Sequence, residues 1–185
     1  NGLDQGSWIT GFNMDYADMN LDGRLDIISS VWPSSVYILY QPKYPYERWN
    51  IKKVGSIKPD RLVSVAVADI DNDGDQDIFS GSYSLGSRNK DDIDSSNKAY
   101  GSVVWFQNNS KSWKKNNILR RKRGMYDKWI PIDLDKDNDM DFIGTRGNSE
   151  PFDGVLWLEQ LGYDYSQKVF FPARKIDSKS VPFDD

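Results

Sequence analysis

The sequence predicts an all-β fold, and three observations carry that prediction. An acidic phrase recurs three times along the 185 residues: ADMNLDGRLDII at 17–28, ADIDNDGDQDIF at 68–79 and IDLDKDNDMDFI at 132–143. Each copy is followed by an aromatic-apolar run: VYILYQ at 36–41, VVWFQN at 103–108 and VLWLEQ at 155–160. Aromatic residues reach 14% of the chain, a composition that suits half-buried pleated surfaces.

The repeats set the organisation. From the first aspartate of one phrase to the next the spacing is 51 residues (Asp18 to Asp69) and then 64 (Asp69 to Asp133). Before the second phrase, LVSVAVAD shows the period-two alternation of a strand. A further strand-like segment closes each unit: RWNIKKV at 48–54, SWKKNNIL at 112–119 and KVFFPARKI at 168–176. Each unit then holds about four short strands, with the acidic phrase joining the first two. The units fall at roughly 8–58, 59–122 and 123–178 within a single domain spanning 1–185. Four strands per unit of this length is the pattern of a β-propeller blade. The expected architecture is about three four-stranded antiparallel blades, a partial propeller or a ring completed by other chain segments.

The phrases share the pattern D-x-[DN]-x-D-[GN]-x-x-D. Alternate residues of a strand point to one face, so five aspartates from Asp69 to Asp77 in a strand would crowd five anions together. A loop around a hard cation removes that difficulty, because such ions take six to eight oxygens. Side-chain ligands are expected at positions one, three, five and nine: Asp18, Asn20, Asp22 and Asp26; Asp69, Asp71, Asp73 and Asp77; Asp133, Asp135, Asp137 and Asp141. Position seven varies freely (Arg24, Asp75, Asp139), which suits a main-chain carbonyl ligand. Position six is Gly23, Gly74 or Asn138, residue types that tolerate positive φ. An EF-hand is excluded, since position twelve is Ser29, Ser80 or Gly144 rather than Glu and the flanks read as strands. The ion expected is Ca²⁺, at about three sites, one per repeat. Mg²⁺ suits a flexible, ligand-rich loop less well, because it usually keeps several waters.

Composition narrows the chemistry. Cysteine and histidine are both absent, which removes disulfides, thiolate sites, Ser-His pairing and imidazole metal ligands. No stretch of 18 uninterrupted apolar residues offers a membrane span, and no signal peptide is visible.

The phrase VAVADIDNDGDQDI at 65–78, followed by VVWFQN, resembles the VCBS/FG-GAP-type calcium-loop repeat family, whose motif is related to that of the integrin α-subunit head. The resemblance covers nearly the whole chain. It implies a seven- or eight-bladed ring, an extracellular or cell-surface setting and structural calcium. Its members include adhesins, lectin-like modules and propeller domains attached to polysaccharide-degrading enzymes. The Phe-Gly and Gly-Ala-Pro signatures of the FG-GAP branch do not occur here, and the VCBS type fits more closely. Three blades fall short of a ring. The expectation is a piece of a longer propeller, in keeping with the Asn1 start and the VPFDD end. Closure by several chains and open stacking are the alternatives.

The loops after the second strand of each unit, at 29–35, 80–102 and 144–154, are expected on one face. Their candidate ligand contacts are Trp32, Tyr83, Arg88, Tyr100, Arg146 and Asn148, since aromatics and planar guanidinium groups suit sugar rings and carboxylates. Trp105, Phe106 and Trp157 read as packing between blades. The run LRRKRG at 119–124 reads as a solvated turn or as a polyanion contact, with no accompanying nucleic-acid motif. NNS at 108–110 is a short glycosylation sequon. Three functions remain open. The first is a non-catalytic binding or adhesion propeller for carbohydrate or extracellular protein. The second is part of a lyase or hydrolase acting on an acidic glycan, with Tyr83, Tyr126 and Arg146 as candidate catalytic residues. The third is an assembly protein building a ring or filament.

Overall fold

A computed structural model describes residues 13–31, 33–83, 100–122, 125–146, 154–161 and 173–175. The described chain is all-β, with twelve strands in three four-stranded antiparallel sheets. The first sheet joins β1 (Met14–Ala17), β2 (Asp26–Val31), β3 (Ser35–Tyr40) and β4 (Asn50–Ser56). The second joins β5 (Arg61–Ala68), β6 (Asp77–Tyr83), β7 (Tyr100–Asn108) and β8 (Trp113–Lys122). The third joins β9 (Tyr126–Ile132), β10 (Asp141–Arg146), β11 (Gly154–Leu158) and the short β12 (Ala173–Lys175). Every sheet is a simple meander drawn from consecutive sequence, the arrangement of a propeller blade. Among the described residues, no helix is long and apolar enough to cross a membrane.

The pleat explains how the sheets stack. Neighbouring residues of a strand face opposite sides, and the middle sheet uses both sides. Ile78, Val104 and Phe106 join Ile28, Val36 and Ile38 of the first sheet in one core. Phe79, Val103 and Trp105 join Trp129, Phe142, Leu156 and Leu158 of the third sheet in another. Trp105 and Phe106 are therefore both packing residues, one in each core. Trp157 differs: it is half-buried and belongs to neither core, because its register partner Ile143 alternates away from Phe142.

The first strands of the sheets meet. β5 packs against β1 on one side and β9 on the other. Asp15 on β1 accepts a hydrogen bond from the Val67 N–H at 2.9 Å, so the first sheet partly covers the edge of the second. The Ser64 hydroxyl donates to the Tyr126 carbonyl at 2.7 Å, and the Asn13 amide donates to the Asp127 carbonyl. All three acidic loops connect a first strand to a second strand. They therefore lie at the same end of their sheets.

Three sequence expectations change, the first being that the loops expected at 29–35, 80–102 and 144–154 are partly strand, since β2, β6 and β10 run on to Val31, Tyr83 and Arg146 and β7 begins at Tyr100. The basic run at 119–122 lies within β8 and not in a turn. Arg120 within it contacts buried Asp60 at 3.3 and 3.4 Å, and Asp60 also accepts the Ser102 hydroxyl. The sequon asparagine, Asn108, is buried and structural: its amide donates to the Gln76 carbonyl at 3.3 Å and accepts the Ser110 N–H at 3.2 Å.

Candidate metal centres

The three acidic loops are built alike, from short polar side chains that bond to nearby main chain. In the first, the Asp18 carboxylate accepts the Asp22 N–H at 3.0 Å and the Gly23 N–H at 2.7 Å. In the second, Asp69 accepts Asp73 at 3.1 Å and Gly74 at 3.0 Å. In the third, Asp133 accepts Asn138 at 3.2 Å. Position five turns the chain next: Asp22, Asp73 and Asp137 accept the N–H of Arg24, Asp75 and Asp139 at 3.0, 3.1 and 3.2 Å. Position six has the expected positive φ, at 84° for Gly23, 92° for Gly74 and 72° for Asn138. Position four does too, at 58° for Leu21, 53° for Asn72 and 64° for Lys136. Nothing in a Leu or a Lys signals that requirement.

Position nine closes each loop in the same way. Asp26, Asp77 and Asp141 are all fully buried. One oxygen of each accepts the position-two N–H, from Met19 (3.0 Å), Ile70 (3.2 Å) and Leu134 (3.2 Å). The other accepts an N–H at or just past the end of the third strand, from Gln41 (2.8 Å), Asn108 (2.7 Å) and Gln160 (2.9 Å). Position nine therefore ties loop to sheet. Each of its oxygens keeps a second lone pair for a cation.

The loops diverge at their mouths. One carboxylate oxygen each from Asp69, Asp71 and Asp73 lie within 4.8 Å of one another, and so do those from Asp133, Asp135 and Asp137. Buried oxygens of Asp71, Asp75, Asp133 and Asp139 have no hydrogen-bond partner. Asp71 is itself 8% exposed, so its orphaned oxygen is an anion withdrawn from water. A hard cation is the partner such an oxygen set fits. The first loop has Asn20 at position three and so no carboxylate triad among the described residues; its Asp18 and Asn20 side-chain oxygens both accept the Asp22 N–H, at 3.0 and 3.2 Å.

Burial and crowding of like charges set the electrostatics of the loops. Burial, then the Asp73, Asp71 and Asp69 charges, push the Asp75 carboxyl up to about 6. Burial and the Asp137 charge push Asp139 up to about 7. Asp77 rises to about 8, burial outweighing the hydrogen bond from Asn108. A positive ion in the loop would reverse the repulsion among these groups.

One supporting residue carried no recognisable signal. Gln107, at the end of β7, donates to Asp71 at 2.6 Å and is held by Asn116 at 3.4 Å. The register Ile78↔Phe106 and Phe142↔Leu158 places Glu159 at the equivalent point of the third sheet, where it is buried. In the second sheet the third strand thus supports the loop from behind.

Of the residues expected to contact a ligand, Tyr83 ends β6 and Tyr100 begins β7, both at the end of the second sheet away from the acidic loops. The Arg61 guanidinium donates to the Tyr83 hydroxyl at 3.4 Å, and the Arg120 guanidinium lies 4.6 Å from the Tyr100 ring centroid. Arg146 ends β10, opposite Gly154 and Tyr126; its side chain, and Trp32, Arg88 and Asn148 entirely, lie outside the described residues. Tyr126 is buried in the core, its ring stacked 5.6 Å from Trp129.

Compared with known families, residues 18–80 match the model of the FG-GAP-like repeat. The match begins at the first aspartate of loop one and ends just past loop two. No curated protein matches the chain.

Proposed function

We propose that this chain, which carries an FG-GAP-like repeat at residues 18–80, is a calcium-held section of a β-propeller. In this reading it works outside the cell by binding a carbohydrate or an extracellular protein, without catalysis. The observation that carries the calcium reading is the pair of converging carboxylate triads with buried, unpartnered oxygens. Asp69, Asp71, Asp73 and Asp77 would hold one ion, and Asp133, Asp135, Asp137 and Asp141 another. The ion would supply rigidity, holding the first two strands of each blade in register.

The binding reading is supported by a division of labour between the two ends of the blades. The acidic loops occupy one end. At the other lie two separate aromatic-cationic pairs, Tyr83 with Arg61 and Tyr100 with Arg120, of a chemistry that suits sugar rings bearing carboxylates or sulfates. The candidate lyase base Tyr126 is sealed in the core, where no polysaccharide reaches it.

The test is incubation with neutral and acidic polysaccharides in calcium, scoring retention and newly formed reducing or unsaturated ends. Retention that chelator abolishes, with no new ends, is the expected result. New ends would overturn the non-catalytic reading. No retention on any glycan, with a native mass well above one chain, would favour an assembly protein.

A further inference from the structure

The first acidic loop adds a basic side chain to the main-chain bonds that all three loops share. Both oxygens of Asp18 accept main-chain N–H groups, from Asp22 and Gly23. Both oxygens of Asp26 do the same, with Met19 and Gln41. Asp22 accepts the Arg24 N–H on one oxygen at 3.0 Å. Its other oxygen takes the Asn20 amide at 2.9 Å and an ion pair from the Arg24 guanidinium. The same guanidinium donates from Nε to the Gln41 carbonyl at 2.9 Å. It thus bridges the loop to the residue after the third strand, joining the two elements that Asp26 also joins.

The other loops share the main-chain bonds of positions one, five and nine, but not the arginine. Position seven is Asp75 in the second and Asp139 in the third, so the place of the guanidinium holds another anion. Position three is Asn20 in the first loop but Asp71 and Asp135 in the others. The first loop therefore carries three carboxylates and one arginine, whereas the second carries five carboxylates. Lys136, the third loop's own basic residue, is exposed at position four and makes no ion pair within that loop among the described residues.

We propose that Arg24 is a built-in counter-ion of the first loop: the chain takes divalent cations at 69–77 and 133–141 and none at 18–26. The inference rests on the calcium reading of the second and third loops, and it departs from the expectation of one ion per repeat. An arginine is always charged and presents a fixed fork of donors. The first blade consequently keeps its loop closed when calcium is scarce, while its neighbours do not.

The experiment is calcium titration by calorimetry on the whole chain, with Arg24→Asp as the variant, because Asp is the residue at both equivalent positions. Two sites in the original chain and three in R24D are expected. Three sites in the original chain, or two in R24D, would overturn the role of Arg24 while leaving calcium binding intact. No sites in either would overturn the calcium reading itself and this inference with it. Hydrogen exchange gives a readout that does not depend on the variant folding well. Chelator should speed exchange by about tenfold or more in loops two and three and leave 18–26 unchanged. Loss of protection at 18–26 to the same degree would overturn the proposal. Arg24→Ser should make that protection calcium-dependent or lose it; protection unchanged from the original chain would equally overturn it.

Discussion

Position four of each acidic loop shows how local chemistry and loop geometry can disagree. The backbone there is left-handed, at 53° for Asn72 but also at 58° for Leu21 and 64° for Lys136. Asn tolerates that region, whereas a side chain such as Leu or Lys is disfavoured by roughly 1–2 kcal/mol. The surrounding Asp side-chain bonds hold the turn closed in spite of this. Lys136→Gly should therefore stabilise the chain by about 0.5–1 kcal/mol, the relief of strain exceeding the extra freedom glycine gives the unfolded state. Denaturant melts of the two proteins would check this, and a loss of stability would refute it. Position six, by contrast, was legible in the sequence, because Gly and Asn are the residues that positive φ selects.

At the scale of the strand and sheet, alternation was legible and close approach was not. LVSVAVAD at 62–69 announces a strand, and β5 occupies Arg61–Ala68. That Trp129 would be the centre of the second core was not readable. Trp129 meets Phe79 edge-on at 5.1 Å and Phe142 edge-on at 6.4 Å, while Phe79 and Phe142 stack at 3.7 Å. The indole fits because position 144 is glycine: a Cβ there would lie 2.3 Å from the Trp129 ring. Gly144→Ala should destabilise the stack by roughly 1–3 kcal/mol, the range for overfilling a packed core. Circular dichroism melts would show the drop, and an unchanged midpoint would mean the ring has room to move.

For the whole molecule, calcium bound as proposed would couple folding to the ion, and the crowded carboxylates couple it to pH. A ligand that binds only the folded state at 100 times its Kd adds about 2.7 kcal/mol per site. Two sites then correspond to a melting temperature higher by roughly 10–20 °C for a chain of this size. Chelator should remove that increment, and an indifferent melting curve would sink the metal reading. In chelator the pH dependence has a definite sign. Asp75, Asp139 and Asp77 titrate at about 6, 7 and 8 in the fold, against an ordinary 3.8. The folded chain thus holds protons that the unfolded chain has released, so stability falls as pH rises from about 4 to 8. Melts across that range, with and without calcium, would test it: calcium should remove most of the fall.

The sequence by itself determined the repeat, the strands around it and the chemistry of its loops. Those follow from local rules: alternation sets the strand, short acidic side chains bond their own main chain, and positive φ selects Gly or Asn. The tertiary structure alone decided what the rest of each sheet brings to its loop. It turned position nine into a buried tie between loop and third strand, brought Gln107 onto Asp71 from a distant strand, and placed the Arg24 guanidinium between Asp22 and Gln41. Each of these depends on residues far apart in the chain meeting across a sheet. Three phrases that read alike therefore build loops with different electrostatics.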